Sequence, residues 1–186
     1  MRRASFPVFV LISVAAVLAL AGCQGKKQPP VAAAPSVADS ADQILVSTHY
    51  LLANNGIKRG DLTADTAFIL GQGTRFDLRK AHVVFTTETG TPQGTMDGNR
   101  GLYSTQMQVL EGFGDVVVRT PDGRTLKTPH ATYNQILHTI VSDTNYTITR
   151  GNDTQSGIGF TYNQATGSFK CLKSCGGNFS VMLPAK

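Results

Sequence analysis

From Ile44 onward the chain runs in segments where apolar or β-branched residues alternate with polar ones, separated by Gly, Asn and Asp clusters. Alternation with a period of two marks a strand with one buried face, and the clusters mark the turns between strands. The pattern predicts strands near Leu62–Leu70, Phe76–Thr87, Thr95–Tyr103, Gln106–Thr120, Thr125–Tyr133, Thr139–Arg150, Gly157–Tyr162, Ser168–Leu172 and Phe179–Leu183. Turns are expected at Asp97-Gly98-Asn99, Pro121-Asp122-Gly123, Gly151-Asn152-Asp153 and Ala165-Thr166-Gly167, where Asp, Asn and Gly supply the backbone geometry of tight reversals. Gln43–Asn54 fits a short helix or an edge strand. No other stretch here has a helical period.

A repeat underlies the alternation. Ala131-Thr132-Tyr133-Asn134 returns as Phe160-Thr161-Tyr162-Asn163, 29 residues later. Gly101-Leu102-Tyr103 stands 30 residues before the first of these, and Ala67-Phe68-Ile69 a further 34 before that. Each small-x-aromatic step leads into a turn, and a Val- or Ile-rich strand such as Val83-Val84-Phe85 or Val116-Val117-Val118 follows. A period near 30 made of two-strand units predicts stacked hairpins that bury a continuous core. The two ends of such a stack are exposed edges.

The N-terminus has a different pattern. Met1-Arg2-Arg3 precedes an apolar run from Phe6 to Ala21, about 16 residues long. A membrane-spanning helix needs roughly 20. A charged start, a short apolar run and small residues before a cut make a signal peptide. Its ending, Leu20-Ala21-Gly22-Cys23, resembles the lipobox of bacterial lipoproteins, which implies cleavage before Cys23 and acylation of that cysteine. Three acyl chains, at roughly 0.8 kcal/mol per buried CH₂, make such an anchor effectively permanent. Gln24 to about Asp42 is rich in Pro, Ala and Ser and reads as a solvated tether. The expected organisation is residues 1–22 signal peptide, 23–43 lipid anchor and flexible linker, and 44–186 one β domain.

Composition changes this picture little. The chain has 17 Lys plus Arg against 12 Asp plus Glu. Removing the signal peptide takes two arginines and no acid, leaving 15 against 12, a net charge of +3. The basic residues form no stripe, so a nucleic-acid partner is not expected. Cys171 and Cys175 remain after Cys23, an even pair in an oxidising compartment, and a disulfide is expected. Two thiolates with no nearby histidine make half a zinc site at best.

No enzyme motif is present. His49, His82, His130 and His138 fall into no His-Glu-x-x-His pattern, and no Gly-x-Ser-x-Gly or phosphate-binding glycine loop occurs. No catalytic residue, metal or cofactor is expected. The aspartates fall mostly in turns, and Asp115 and Asp143 read as solvent-facing strand charge that discourages edge pairing. The apolar pairs Val83/Phe85, Val116/Val118, Tyr146/Ile148 and Ile158/Phe160 are spaced by two, which puts each pair on one face. They could line a lipid groove or fill a sandwich core, and periodicity alone does not separate these.

The order of motifs carries a resemblance. Gly112-Phe113-Gly114-Asp115-Val116-Val117-Val118, the Asp122-Gly123 turn and Leu126-Lys127-Thr128 are followed by Thr132-Tyr133-Asn134, Ile140-Val141-Ser142-Asp143 and Gly157-Ile158-Gly159-Phe160. With Leu62-Thr63-Ala64-Asp65-Thr66-Ala67-Phe68 as an opening strand, the stretch from about Gly60 to Gly177 resembles the LptC family and its LptA and LptD relatives. The resemblance implies an all-β, twisted V-shaped β-jellyroll built from stacked antiparallel hairpins. Its function would be non-enzymatic: a lipid-transfer bridge that holds the acyl chains of lipopolysaccharide in an apolar groove. It would pass them from the export ABC transporter toward the outer membrane. The implied partners are lipopolysaccharide, an LptF/LptG-type permease and an LptA-type jellyroll joined by edge-strand addition. The implied location is the periplasmic face of a membrane. Gln24 leans toward the outer membrane and the family role toward the inner one, which is favoured. Under this reading the groove residues are Val83, Phe85, Val116, Val118, Tyr146, Ile148, Ile158 and Phe160. The alternative is a structural or assembly lipoprotein with a filled β core that binds protein or polysaccharide. Phe85→Glu is expected to separate the two: an open groove would tolerate it and lose transport, while a filled core would unfold.

Overall fold

The computed structural model describes residues 36–178. The expected signal peptide, Cys23, most of the expected tether and the strand expected at Phe179–Leu183 lie outside the described residues. Nine strands follow one another: β1 Gln43–Asn54, β2 Ile57–Leu70, β3 Arg75–Thr86, β4 Pro92–Ser104, β5 Val109–Arg119, β6 Thr125–Asn134, β7 Thr139–Arg150, β8 Asp153–Asn163 and β9 Ser168–Asn178. They pair antiparallel in chain order in a single sheet, and β1 and β9 are left as its two edges. This is the unclosed β-jellyroll that the family resemblance implies, built from the stacked hairpins that the alternation and the repeat predict. Gln43–Asn54 is the edge strand of its two expected forms. A one-turn 3₁₀ helix, Val37–Ser40, precedes it within the stretch that composition reads as tether, with Ser36 and Asp39 closing a capping box.

β2, β4, β8 and β9 run longer than alternation alone predicts because they pass through a bend without ending. The register breaks in mid-strand across most of the sheet: between Asp97 and Arg100, Phe113 and Val116, Lys127 and Thr132, Ser142 and Asn145, and Ser156 and Ile158. Positive φ at Ser47, Lys80, Asp115 and Ser174 marks the same line in β1, β3, β5 and β9. Such bulges bend and twist a strand. Asp97-Gly98-Asn99, expected as a turn, is one of them and lies inside β4. Turns and bulges demand the same residues, so local chemistry does not tell them apart.

The bend folds the sheet onto itself. One layer ends in the turns at 54–57, 86–92, 119–125 and 150–153, the other in those at 70–75, 104–109, 134–139 and 163–168. Across the first layer, strand pairing lines up Leu62, Val83, Met96, Val118, Leu126 and Ile148. Across the second it lines up Phe76, Tyr103, Leu110, Tyr133, Ile140, Tyr162 and Phe169. The repeat therefore has a structural meaning, since Tyr103, Tyr133 and Tyr162 occupy equivalent places in one inner row.

Aromatic contacts join the layers face to face. The ring centres of Phe85 and Tyr133 are 4.4 Å apart, those of Tyr50 and Phe76 5.2 Å, and those of Tyr146 and Phe169 5.5 Å. Small residues let the layers approach near the bend: a Cβ on Gly112 would stand 2.6 Å from Met96 Cε. Full burial of an aliphatic or aromatic side chain stabilises by roughly 1.5–3 kcal/mol, so these rows hold the fold together.

Candidate functional site

The apolar residues between the layers form one buried cluster among the described residues. Of the eight sequence-predicted groove residues, the structure brings seven together there. Val83, Phe85, Val116, Val118, Tyr146, Ile148 and Phe160 are each 0–3% exposed. Ile158 is not with them. It is 40% exposed, on the outer face. The cause is Gly159, whose φ of +71° forms the bulge opposite Ser142–Asn145 and flips the alternation between Ile158 and Phe160. A spacing of two keeps side chains on one face only where the ladder is regular. Sequence reasoning missed Leu62, Met96 and Leu126, which complete the first row, and the aromatic row of the second layer. The repeated tyrosines were the signal for that row. Ile140 is an inner-row residue with no exposed surface.

The interior is closed by its own side chains. Burial pushes the Tyr103 and Tyr133 hydroxyls up from 10.0 to about 12; nearby Tyr50 adds to the effect on Tyr103, while for Tyr133 Arg59 opposes it and Tyr103 adds to it. A raised folded-state pKa contributes stability that is complete below the unfolded value and is lost as pH rises toward the folded one. Between pH 10 and about 12 the protein should therefore lose on the order of 2–3 kcal/mol for each of these two tyrosines. A spectrophotometric phenol titration run beside circular dichroism checks this. The account expects tyrosinate to appear together with unfolding, whereas ionisation near pH 10 in an intact fold would contradict it.

The two rows of turns meet along the side away from the bend. Arg124 Nη1 donates to Gly167 O across the seam at 3.3 Å. Arg59 and Glu88 of the first layer lie within Coulomb reach of His138 of the second. The rows differ in character. The turns 71–74, 105–108, 135–138 and 164–167 contain no Asp, Glu, Lys or Arg. They are stitched turn to turn by Thr105 N to Thr74 O, Gln135 N to Gln108 O and Gln164 N to His138 O, at 2.9–3.0 Å. Met107, Ile136 and Leu137 stand exposed at their tips. The opposite row carries Glu88, Asp122 and Arg124. Two of its turns close on themselves, through Thr87 N to Thr91 O and Thr120 N to Arg124 O.

At the bend, β6 and β7 separate between the pairs Lys127–Thr147 and Thr132–Val141. Thr128 fills the gap, its hydroxyl 2.8 Å from Thr144 Oγ1 and 2.9 Å from Asn145 O. A cavity of about 580 Å³ opens beside it, lined among others by Val116, Lys127 and Tyr146. On the outer face Asp77 is buried beneath Arg79 and Arg100. Burial alone would raise its carboxyl, but the hydrogen bonds from the two guanidiniums outweigh it and hold the group below the usual range.

The histidines are spread over the sheet. His49 Nε2 lies 2.9 Å from Asp61 and His82 Nδ1 lies 2.6 Å from Asp97, while His130 stacks on Phe113. Among the described residues no cluster of His, Cys, Asp or Glu could hold a metal, and no helix is long and apolar enough to cross a membrane. Cys171 and Cys175 are joined by a disulfide with their Cα atoms 6.1 Å apart. Four residues of regular strand would separate them by roughly 13 Å; the bulge at Ser174 brings them together.

A family model described as "Lipopolysaccharide-assembly, LptC-related" matches residues 8–178. Among solved structures, the chain is similar to LptH, the LptA-homologous periplasmic component of the conserved lipopolysaccharide transport device from Pseudomonas aeruginosa. The TM-score is 0.48 at 14% identity, over 61% of this chain and 81% of that one. No curated protein matches. With the family model covering most of the chain, including the whole sheet, the chain belongs to the LptC-related family of lipopolysaccharide-assembly proteins, non-enzymatic components of the periplasmic transport bridge.

Proposed function

We propose that this protein carries lipopolysaccharide with the acyl chains between the two layers of its folded sheet, while a lipid on Cys23 anchors it to a membrane. Residues 1–22 are then a cleaved signal peptide, 23–43 the anchor and linker, and 44–186 the carrier domain, with the inner membrane favoured. The observation that carries the reading is the pair of continuous apolar rows that face each other in the interior. These rows cross β2–β7 in one layer and β3–β9 in the other, and they reach the seam where the layers meet. An acyl chain in water costs roughly 0.8 kcal/mol per CH₂, and only a continuous apolar slot removes that cost along its length. The free edges suit head-to-tail assembly. β1 shows Ile44, Leu45, Val46 and Leu51 to solvent, and β9 is largely exposed. An edge strand of a permease domain or of an LptA-type jellyroll would extend the sheet by backbone hydrogen bonding. Lipopolysaccharide would then move from the export ABC transporter toward the outer membrane.

A second reading has an observation of its own. Because side chains fill the interior, the domain could instead be a structural lipoprotein that binds protein or polysaccharide on its outside. Tyrosine emission separates the two. The chain has no Trp and five Tyr, and four of these, Tyr103, Tyr133, Tyr146 and Tyr162, are buried in the core. Titrating the full-length protein with lipopolysaccharide should change this emission saturably, and the delipidated polysaccharide should not. An unchanged signal with lipopolysaccharide in excess would favour the filled core.

A further inference from the structure

Two arginines stand at the seam between the layers, both on the charged row. The side chain of Arg59 is 13% exposed and that of Arg124 18%. Each is only partly engaged by its own row. Arg59 Nη2 donates to Glu88 Oε1 at 2.8 Å. Arg124 Nε lies 2.8 Å from Asp122 Oδ2 but out of line for a hydrogen bond, and its Nη1 reaches Gly167 O. The Nε atoms of both arginines are buried without a hydrogen-bond partner. A guanidinium has five donors in a planar fork, and buried donors left unused are costly. Glu88 keeps 64% of its side chain in solvent and can withdraw into water at little cost, while Asp122, 38% exposed, can turn away from Arg124 about the hydrogen bond it accepts from the Thr120 hydroxyl.

Behind each arginine lies the apolar interior. Tyr133 and Tyr162, inner-row residues, are within Coulomb reach of Arg59 and Arg124 respectively. Across the seam stand the uncharged turns with Ile136 and Leu137 at a tip. The seam thus offers apolar walls inside, an uncharged lip on one side and two cations with spare donors on the other. That arrangement matches an amphiphile with acyl chains and an anionic, multi-oxygen head. Phosphate satisfies it best, since its oxygens accept two parallel N–H bonds from one guanidinium.

We propose that Arg59 and Arg124 hold phosphate groups on the head of the amphiphile whose acyl chains enter between the layers. The inference rests on the carrier reading above and adds to it the recognition of the head group. Binding replaces the Arg124 contact with Gly167 by contacts to phosphate oxygens, so head-group capture and parting of the two lips are one event.

The test is tyrosine emission of the full-length protein titrated with intact lipopolysaccharide, with the same material after chemical removal of its phosphates, and with inorganic phosphate. Wild type should bind the dephosphorylated lipid roughly tenfold or more weakly, as expected for loss of charge-assisted bonds. An Arg59→Gln/Arg124→Gln double variant should bind intact lipid as weakly and gain no further loss from dephosphorylation. An Arg59→Lys/Arg124→Lys variant should bind intact lipid more tightly than the glutamine variant. Urea midpoints of the variants establish that each is folded. The inference is overturned if the glutamine variant distinguishes the two lipids as wild type does, or if it loses both equally. It is also overturned if inorganic phosphate alone binds as tightly as the lipid. A wild-type protein that responds to neither lipid removes the carrier reading itself, and the head-group site with it.

Discussion

Replacing Phe85 by alanine should lower stability by about 3–5 kcal/mol, the usual cost of removing a buried aromatic side chain. Phe85 is 1% exposed, and its ring lies on Tyr133 of the opposite layer, so the cavity left behind spans both layers. Phe85→Glu should cost more, because it also buries a carboxylate beside apolar walls with no partner. Domains of this size are stable by about 5–15 kcal/mol, so the glutamate variant should be substantially unfolded. Urea unfolding measures both, with a lower midpoint at unchanged slope as the expected result. An alanine variant within about 1 kcal/mol of wild type would mean that the layers do not close on Phe85 in solution. Read from the sequence, Phe85→Glu would have separated a carrier from a filled core. The closed interior removes that contrast, because the variant unfolds the resting domain under either function.

The second large effect lies in the backbone. Gly94 has φ +120°, and a Cβ there would stand 2.3 Å from the carbonyl oxygen of Arg119 on the neighbouring strand. Gly94→Ala must therefore both strain the chain and push β5 away from β4. A cost on the order of 3 kcal/mol is expected, the sum of a forbidden φ and a lost ladder contact. Gly123, in the turn at 119–125, also has positive φ, but a Cβ there meets nothing within 4 Å. Gly123→Ala should cost only its strain, roughly 1 kcal/mol. Thermal unfolding of the two variants gives the difference; equal losses would show that strain alone matters at Gly94.

The hairpins, their order and the repeat were legible in the sequence because alternation and turn chemistry are local. Thr139–Arg150 was read to the residue, Gln43–Asn54 was left open between helix and edge strand, and the other described strands differ only at their ends. The bend was not legible. It is built from bulges, and Asp97-Gly98-Asn99 and Gly159 look like turn residues until their partner strands are known. Ile158 was assigned to the interior for that reason. The pairing of Phe85 with Tyr133, or of Arg124 with Gly167, depends on which halves of distant strands meet. Nothing in a period of two encodes that. Val83/Phe85, Val116/Val118 and Tyr146/Ile148 each share a buried face as the period of two predicts, but the sequence does not say whether that face opens.

The central claim, that acyl chains lie between the layers, has a direct test in the living cell. A photo-crosslinking amino acid is placed at Phe85 and, as a control, at Asp65, an exposed position of β2 away from the seam, and adducts are probed for lipopolysaccharide. The account predicts an adduct at Phe85 and none at Asp65. A folded protein with no adduct at Phe85 would contradict it, and the interior would then be a core.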